Sequence, residues 1–281
     1  KVLAIVNRRN SDLTDKSDGV LYTSDGRDVE MSVASTKAFY SQIAACFLLG
    51  HAILDELAAA SPEQAGALIR ERAEILAALR ELPAAMQQTI ALRPQLAAAA
   101  RELAPSRRYW AIVGNGVNRI AAQEVRIKLS ELCYKSIACD ATEDKKHIDL
   151  SSEPLILVCA TGLAGSTADD VAKEVAIYRA HKAAPVVFAT EGEERFSSAL
   201  HAILVPRTHP SLAFVLSAMA GHLFGYEAAL AIDALARPLR EARGAIEAAV
   251  SETREAADGD TLLDVLQCKL EPAAAAFFDR L

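Results

Sequence analysis

The chain has 281 residues, with 30 Lys and Arg against 37 Asp and Glu, a net charge of −7, and 52% hydrophobic residues. An acidic balance without a long basic run repels a polyanion, so no nucleic-acid partner is expected, and the apolar fraction suits a packed core rather than a disordered chain. The length fits one large domain or two of ordinary size.

No run approaches the roughly 18 uninterrupted apolar residues of a membrane helix; the candidates at 44–49 and 213–223 are short or broken by polar residues. A soluble protein without a membrane partner is therefore expected. The opening KVLAIVNRRN reads as a buried strand and a polar turn, with no basic stretch ahead of an apolar region, so no signal peptide is expected. Cys46, Cys133, Cys139, Cys159 and Cys268 are odd in number and lack C-x-x-C spacing. They read as reduced core thiols of a cytoplasmic protein.

Residues 1–60 read as strand KVLAIV, strand GVLYTS, a polar loop and the helix STKAFYSQIAACFLLGHAIL. That is the C-terminal half of an α/β unit, and further strands and a phosphate loop are expected to precede residue 1. Residues 61–106 turn alanine-rich and periodic, a helical connector. Ser61 and Pro62 mark its start, Glu63 and Gln64 sit in the first turn, and Leu68, Ile75 and Leu79 recur at helical spacing.

Residues 107–250 alternate short apolar strands with amphipathic helices: RRYWAIVGNG, NRIAAQEVRIKLSELCY, KSIACDA, EPLILVCATG, STADDVAKEVAIYRAHKA, APVVFATEG, SALHAILVP and SLAFVLSAMAGHLFGYEAALA. This pattern predicts an α/β fold, a doubly wound parallel sheet whose ligands bind where loops leave the carboxyl ends of the strands. Residues 251–281 form a helical extension carrying TLLDVLQCKLEPAAAAFFDRL.

Several short patterns carry chemistry. In VASTKAF, Ser35 can accept backbone N–H bonds as a helix N-cap. On the helix from Asn118, the apolar stripe is Ala122, Val125, Leu129 and Leu132, leaving Glu124, Lys128 and Glu131 together on another face. Glu124 and Lys128 have the spacing of a surface pair. Gly114-Asn115-Gly116 suits a tight turn or close approach to a phosphate, but lacks the third glycine and the following acidic residue of a dinucleotide fingerprint, so no cofactor is expected. Ser166 and Thr167, in TGLAGSTADD, suit either an anion cradle or a plain helix cap. His51, His181, His201, His209 and His222 share no metal spacing and read as ordinary surface or core residues.

VASTKAF, the long helix and connector after it, and the spacing of Lys128, Glu131 and His147 resemble the isomerase half of the glucosamine-6-phosphate synthase family. That family is also called glutamine:fructose-6-phosphate amidotransferase, and this half is a tandem of two sugar isomerase (SIS) domains. The resemblance covers roughly residues 1–247. It implies a flavodoxin-like SIS fold, one partial and one complete unit joined by helices. It also implies a phosphosugar ligand and a homodimer. Val33 through its backbone and Ser35 through its hydroxyl would hold the sugar. Glu131 would carry a proton between C1 and C2, with Lys128 as its partner. His147 would open the ring of a sugar bound by the neighbouring subunit.

The sequence departs from the family in four places. The family's GELKHGP is EDKKHID here, without its glycines and proline. Arg243 stands where the family has a Schiff-base lysine, and arginine stays protonated and forms imines very poorly. Ser166 and Thr167 match the phosphate-gripping turn of SIS domains, which the second domain of the synthases usually lacks. The N-terminal cysteine of a glutaminase domain is missing. Two functions follow: a sugar-phosphate isomerase portion acting on fructose 6-phosphate or a related compound, or a non-catalytic SIS module that binds a phosphosugar as a sensor or scaffold, with Arg243 clamping the phosphate.

Overall fold

The computed structural model describes residues 1–24, 35–60, 62–145, 147–253 and 259–279. Five strands form one parallel sheet: β3 (Trp110–Gly114), β4 (Ala138–Asp140), β5 (Leu155–Cys159), β6 (Ala184–Thr190) and β7 (His201–Val205), in the order β4-β3-β5-β6-β7. This is the flavodoxin-type order, with the switch point beside β3. Two further strands, β1 (Leu3–Val6) and β2 (Gly19–Tyr22), pair in parallel around the one-turn helix α1 (Asp12–Asp15). The mixed α/β architecture with parallel sheets is the one read from the sequence.

Because strand side chains alternate, the inner strands β3, β5 and β6 each feed two cores. Ile112 and Leu157 pack on one face with Val125, Leu129, Leu216 and Phe224. Ala111, Val113, Ile156 and Val158 pack on the other with Val171, Val175 and Tyr178. The helices that cover the first face are α4 (Arg93–Leu103), α5 (Asn118–Cys133) and α8 (Pro210–Thr253); α7 (Gly165–Ala180) covers the second. The short α6 (His147–Leu150) and α9 (Gly259–Phe278) complete the helices of this part.

The connector forms α3 (Pro62–Ala91) and α4, which begins at Arg93 with a proline in its first turn. Ile75 and Leu79 face inward as their spacing predicts. Ahead of it, α2 (Thr36–Ala60) lays Phe39, Tyr40, Ile43 and Phe47 against the core of the second unit. That contact brings the start of α2 to the middle of α5. Leu48, Ile53 and Leu57 on the same helix are exposed.

Although no apolar run in the sequence reaches membrane length, α2 and α8 have the length and mean hydropathy of a membrane span, 1.6 and 1.3. Folding joins apolar segments across single polar residues into continuous helices. The cysteines divide: Cys133 and Cys159 are buried and Cys139 is half-buried, whereas Cys46 and Cys268 lie on the surface, so only part of the set forms core thiols.

Candidate functional site

Helices α5 and α8 pack at short range, and glycine makes it possible. Gly221 and Gly225, one turn apart on α8, face Val125 and Leu129, one turn apart on α5. A Cβ on Gly221 would collide with both methyls of Val125, and one on Gly225 with Leu129. The two ridges therefore interlock at short range. Residues flanking the seam, Glu124 and Lys128 on α5, then face His222 and Tyr226 on α8.

Where α2 meets this pair a cavity of about 350 Å³ opens, within the size range of small-ligand sites. Thr36 and Tyr40 reach it from α2, Lys128 and Leu132 from α5, and Met219, His222 and Tyr226 from α8. Leu132 thus lines the cavity rather than extending the core stripe. Lys128 is nearly buried, its side chain 8% exposed, and its Nζ lies 3.7 Å from Glu131 Oε2, whose side chain is half exposed. A lone ammonium in a largely apolar hollow, answered by one loosely held carboxylate, favours an anionic or electron-rich ligand.

Polar groups line the floor. Tyr40 Oη and His222 Nδ1 are 2.8 Å apart, and His222 Nε2 and Glu124 Oε1 3.1 Å apart. Burial, reinforced by the Glu124 charge, pushes the Tyr40 hydroxyl far above its usual range, so it stays protonated. On the rim, Arg93 donates to Glu227 at 2.6 Å and its guanidinium lies 5.2 Å from the Tyr226 ring centre. The sequence gives Tyr40 no signal and reads His222 as an ordinary surface or core residue, because 182 positions separate the pair.

The other sequence-derived residues fall in distinct places. Ser35 caps α2, its hydroxyl accepting from the Ala38 N–H at 3.0 Å, one residue before Thr36 of the cleft. Val33 lies outside the described residues. His147 opens α6, and its side chain lies outside the described set. Thr167 lines a separate cavity at the carboxyl ends of the strands, among Glu143, Asp170, Glu174 and Lys173; Ser166 is exposed beside it. Three carboxylates against one lysine make poor surroundings for phosphate. Arg243 is on the surface, where its Nε donates to Glu247 at 2.7 Å; that hydrogen bond raises its pKa further.

Gly114 serves the turn reading of its motif: a Cβ there would meet the Asn118 carbonyl oxygen at 2.5 Å. Behind it, Asn118, Thr161 and Ser217 form a buried knot. Thr161 Oγ1 is 2.8 Å from the Ala213 carbonyl and 2.9 Å from Ser217 Oγ, while Asn118 Nδ2 donates to the Thr161 carbonyl at 2.8 Å. Among the described residues no cluster of three or more His, Cys, Asp or Glu has metal-site geometry.

No family model matches the chain. Over 232 residues it is 31% identical to the glutamine–fructose-6-phosphate aminotransferase (isomerizing) of Thermus thermophilus, covering 81% of this chain and 36% of that one. The chain is a homologue of these aminotransferases. The Streptomyces coelicolor enzyme of the same name is 30% identical over 237 residues, 82% of this chain and 37% of its own. The chain thus spans little more than a third of the length of these curated relatives.

Among solved structures, the C-terminal domain of the glucosamine-fructose-6-phosphate aminotransferase from Francisella tularensis superposes with a TM-score of 0.68 at 20% identity, covering 82% of this chain and 62% of that one. The tagatose-6-phosphate ketose/aldose isomerase from Escherichia coli superposes with a TM-score of 0.57 at 18% identity, over 81% and 60% of the two chains. The fold is that of the SIS domains.

Proposed function

We propose that this chain is the sugar-phosphate isomerase portion of a glucosamine-6-phosphate synthase-like protein, acting on fructose 6-phosphate or a related sugar phosphate. The observation that carries this reading is the convergence of Thr36, at the head of the VASTKAF helix, and Lys128, on the helix after the glycine turn, upon one sugar-sized cavity. Homology to the aminotransferases over four-fifths of the chain supports the same reading.

Ketose–aldose isomerisation moves one proton between neighbouring carbons. In the proposed mechanism the Glu131 carboxylate takes a proton from C1 of the open-chain ketose, leaving an enediolate; a proton passes from O1 to O2, and Glu131 returns its own to C2, which leaves the aldehyde at C1. The Lys128 ammonium, held between the cavity and Glu131, offsets the negative charge that builds on the sugar oxygens. Ser35 and Val33 are assigned to the sugar, and His147 to ring opening across a homodimer interface. The acidic surroundings of Thr167 and the exposed Arg243–Glu247 pair favour the Lys128 cleft over those two positions as the sugar site.

Incubating the chain with fructose 6-phosphate and following glucose 6-phosphate tests the proposal. Formation of the aldose by the native chain, with a loss of about 10²–10⁴-fold in Glu131→Gln, is expected for a proton shuttle. Turnover unchanged in Glu131→Gln would refute the assignment.

A further inference from the structure

The chain Tyr40–His222–Glu124 ties three helices together beside the cleft, and with a neutral imidazole its chemistry sets the direction of both hydrogen bonds. A carboxylate only accepts, so Glu124 places the imidazole proton on His222 Nε2, at 3.1 Å. His222 Nδ1 is then an acceptor, and the Tyr40 hydroxyl, 2.8 Å away, spends its single proton on it. What Tyr40 has left for the cavity it lines is a lone pair.

We propose that Tyr40 is a hydroxyl-recognising residue of this cleft, accepting a hydrogen bond from a hydroxyl of the bound sugar phosphate, with His222 and Glu124 as the positioning residues that hold its polarity. The inference rests on the phosphosugar reading of the cavity and deepens it. A ligand amine at this point would meet the Lys128 ammonium, which lines the same cavity, so a neutral hydroxyl is the fitting donor. The ring of Phe39 stands edge-on to His222 with centres 6.1 Å apart, closing the imidazole off on that side. The titratable groups facing His222 are Tyr40 from α2 and Glu124 from α5; Lys128 and Tyr226 share the cavity with it, and Arg93 lies beyond the Tyr226 ring.

The polarity has a consequence that a purely structural role lacks. Protonating His222 turns Nδ1 into a donor, which forces the Tyr40 hydroxyl to reverse and aim its proton into the cavity. Hydroxyl recognition is then lost. A glutamine at 222 reproduces the neutral arrangement, its amide oxygen accepting from Tyr40 and its NH₂ donating to Glu124, and does not titrate.

Calorimetry with fructose 6-phosphate between pH 5 and 8 tests this, with thermal melts verifying that each variant is folded. Tyr40→Phe and His222→Leu are expected to weaken binding about tenfold or more, the cost of leaving a ligand donor unpaired, with His222→Gln recovering most of it. Nitrogen-15 shifts of the native imidazole give a readout independent of any variant, and the Nε2–H form is expected.

Equal affinity in Tyr40→Phe, or an Nδ1–H imidazole, would each overturn the proposal while leaving phosphosugar binding intact. No binding of fructose 6-phosphate by the native chain would remove the phosphosugar reading itself, and the proposal with it.

Discussion

Val125 on α5 sits directly against the bare backbone of Gly221 on α8, and this contact sets the spacing of the cleft. Gly221→Ala gains about 1 kcal/mol of helix propensity but overpacks the seam by about 1–3 kcal/mol, because the β-branched Val125 cannot swing aside. A net loss of stability is expected, larger than for Gly225→Ala, whose neighbour Leu129 can change rotamer. Urea unfolding of the two variants checks the order.

The burial of Lys128 costs stability, and in the proposed function its charge serves binding. Replacing it by methionine removes a nearly buried charge whose partner is 3.7 Å away and half exposed. The variant is expected to be as stable as the native chain or more so, yet to bind fructose 6-phosphate about 10–100-fold more weakly, the worth of a charged hydrogen bond. Parallel melting curves and calorimetry would show the opposed effects. A fall in stability without a fall in affinity would mark Lys128 as structural.

The buried knot behind the glycine turn makes a separate prediction. Thr161→Val keeps the side-chain volume but removes the hydroxyl shared with the Ala213 carbonyl and Ser217. Stranding those buried groups is expected to cost about 1–3 kcal/mol in denaturant unfolding. The loss should extend to Ser217→Ala with less than additive effect when the two are combined.

Burial pushes the Cys133 thiol up to about 11. The folded state therefore holds this proton over a pH range in which the unfolded chain, with an ordinary thiol near 8.5, has released it. Its contribution to stability is fully present below the unfolded value and is lost as pH rises toward 11. Native chain and Cys133→Ala are expected to converge in stability across that window, as melts between pH 8 and 11 would show. In the native state at pH 8, Ellman titration should find Cys46 and Cys268 reactive and Cys133 and Cys159 protected.

What the sequence made legible was set by local patterns. All five strands of the second unit announce themselves as short apolar runs between turn residues, and Ser35 as the cap of α2, because these properties are decided within a few positions. The long α8 was less visible: the sequence marks its apolar part, SLAFVLSAMAGHLFGYEAALA, yet the helix runs on through Pro238 to Thr253. Pro238 is itself buried, and the helix continues past its missing N–H donor. The Tyr40–His222–Glu124 chain could not be read at all. Glu124 looked like half of a surface pair with Lys128, and only the packing of α2 and α8 on α5 turns it toward an imidazole instead. The acidic surroundings of Thr167 were only partly hidden: Asp170 and Glu174 share α7 with it, whereas Glu143 comes from the turn after β4.

A crystal of the chain soaked with fructose 6-phosphate addresses the central claim most directly. Sugar density in the cleft between Thr36 and Lys128, with a hydroxyl within hydrogen-bond reach of Tyr40 Oη, is the predicted result. Sugar density confined to the Thr167 cavity, with the three-helix cleft bare, would contradict it.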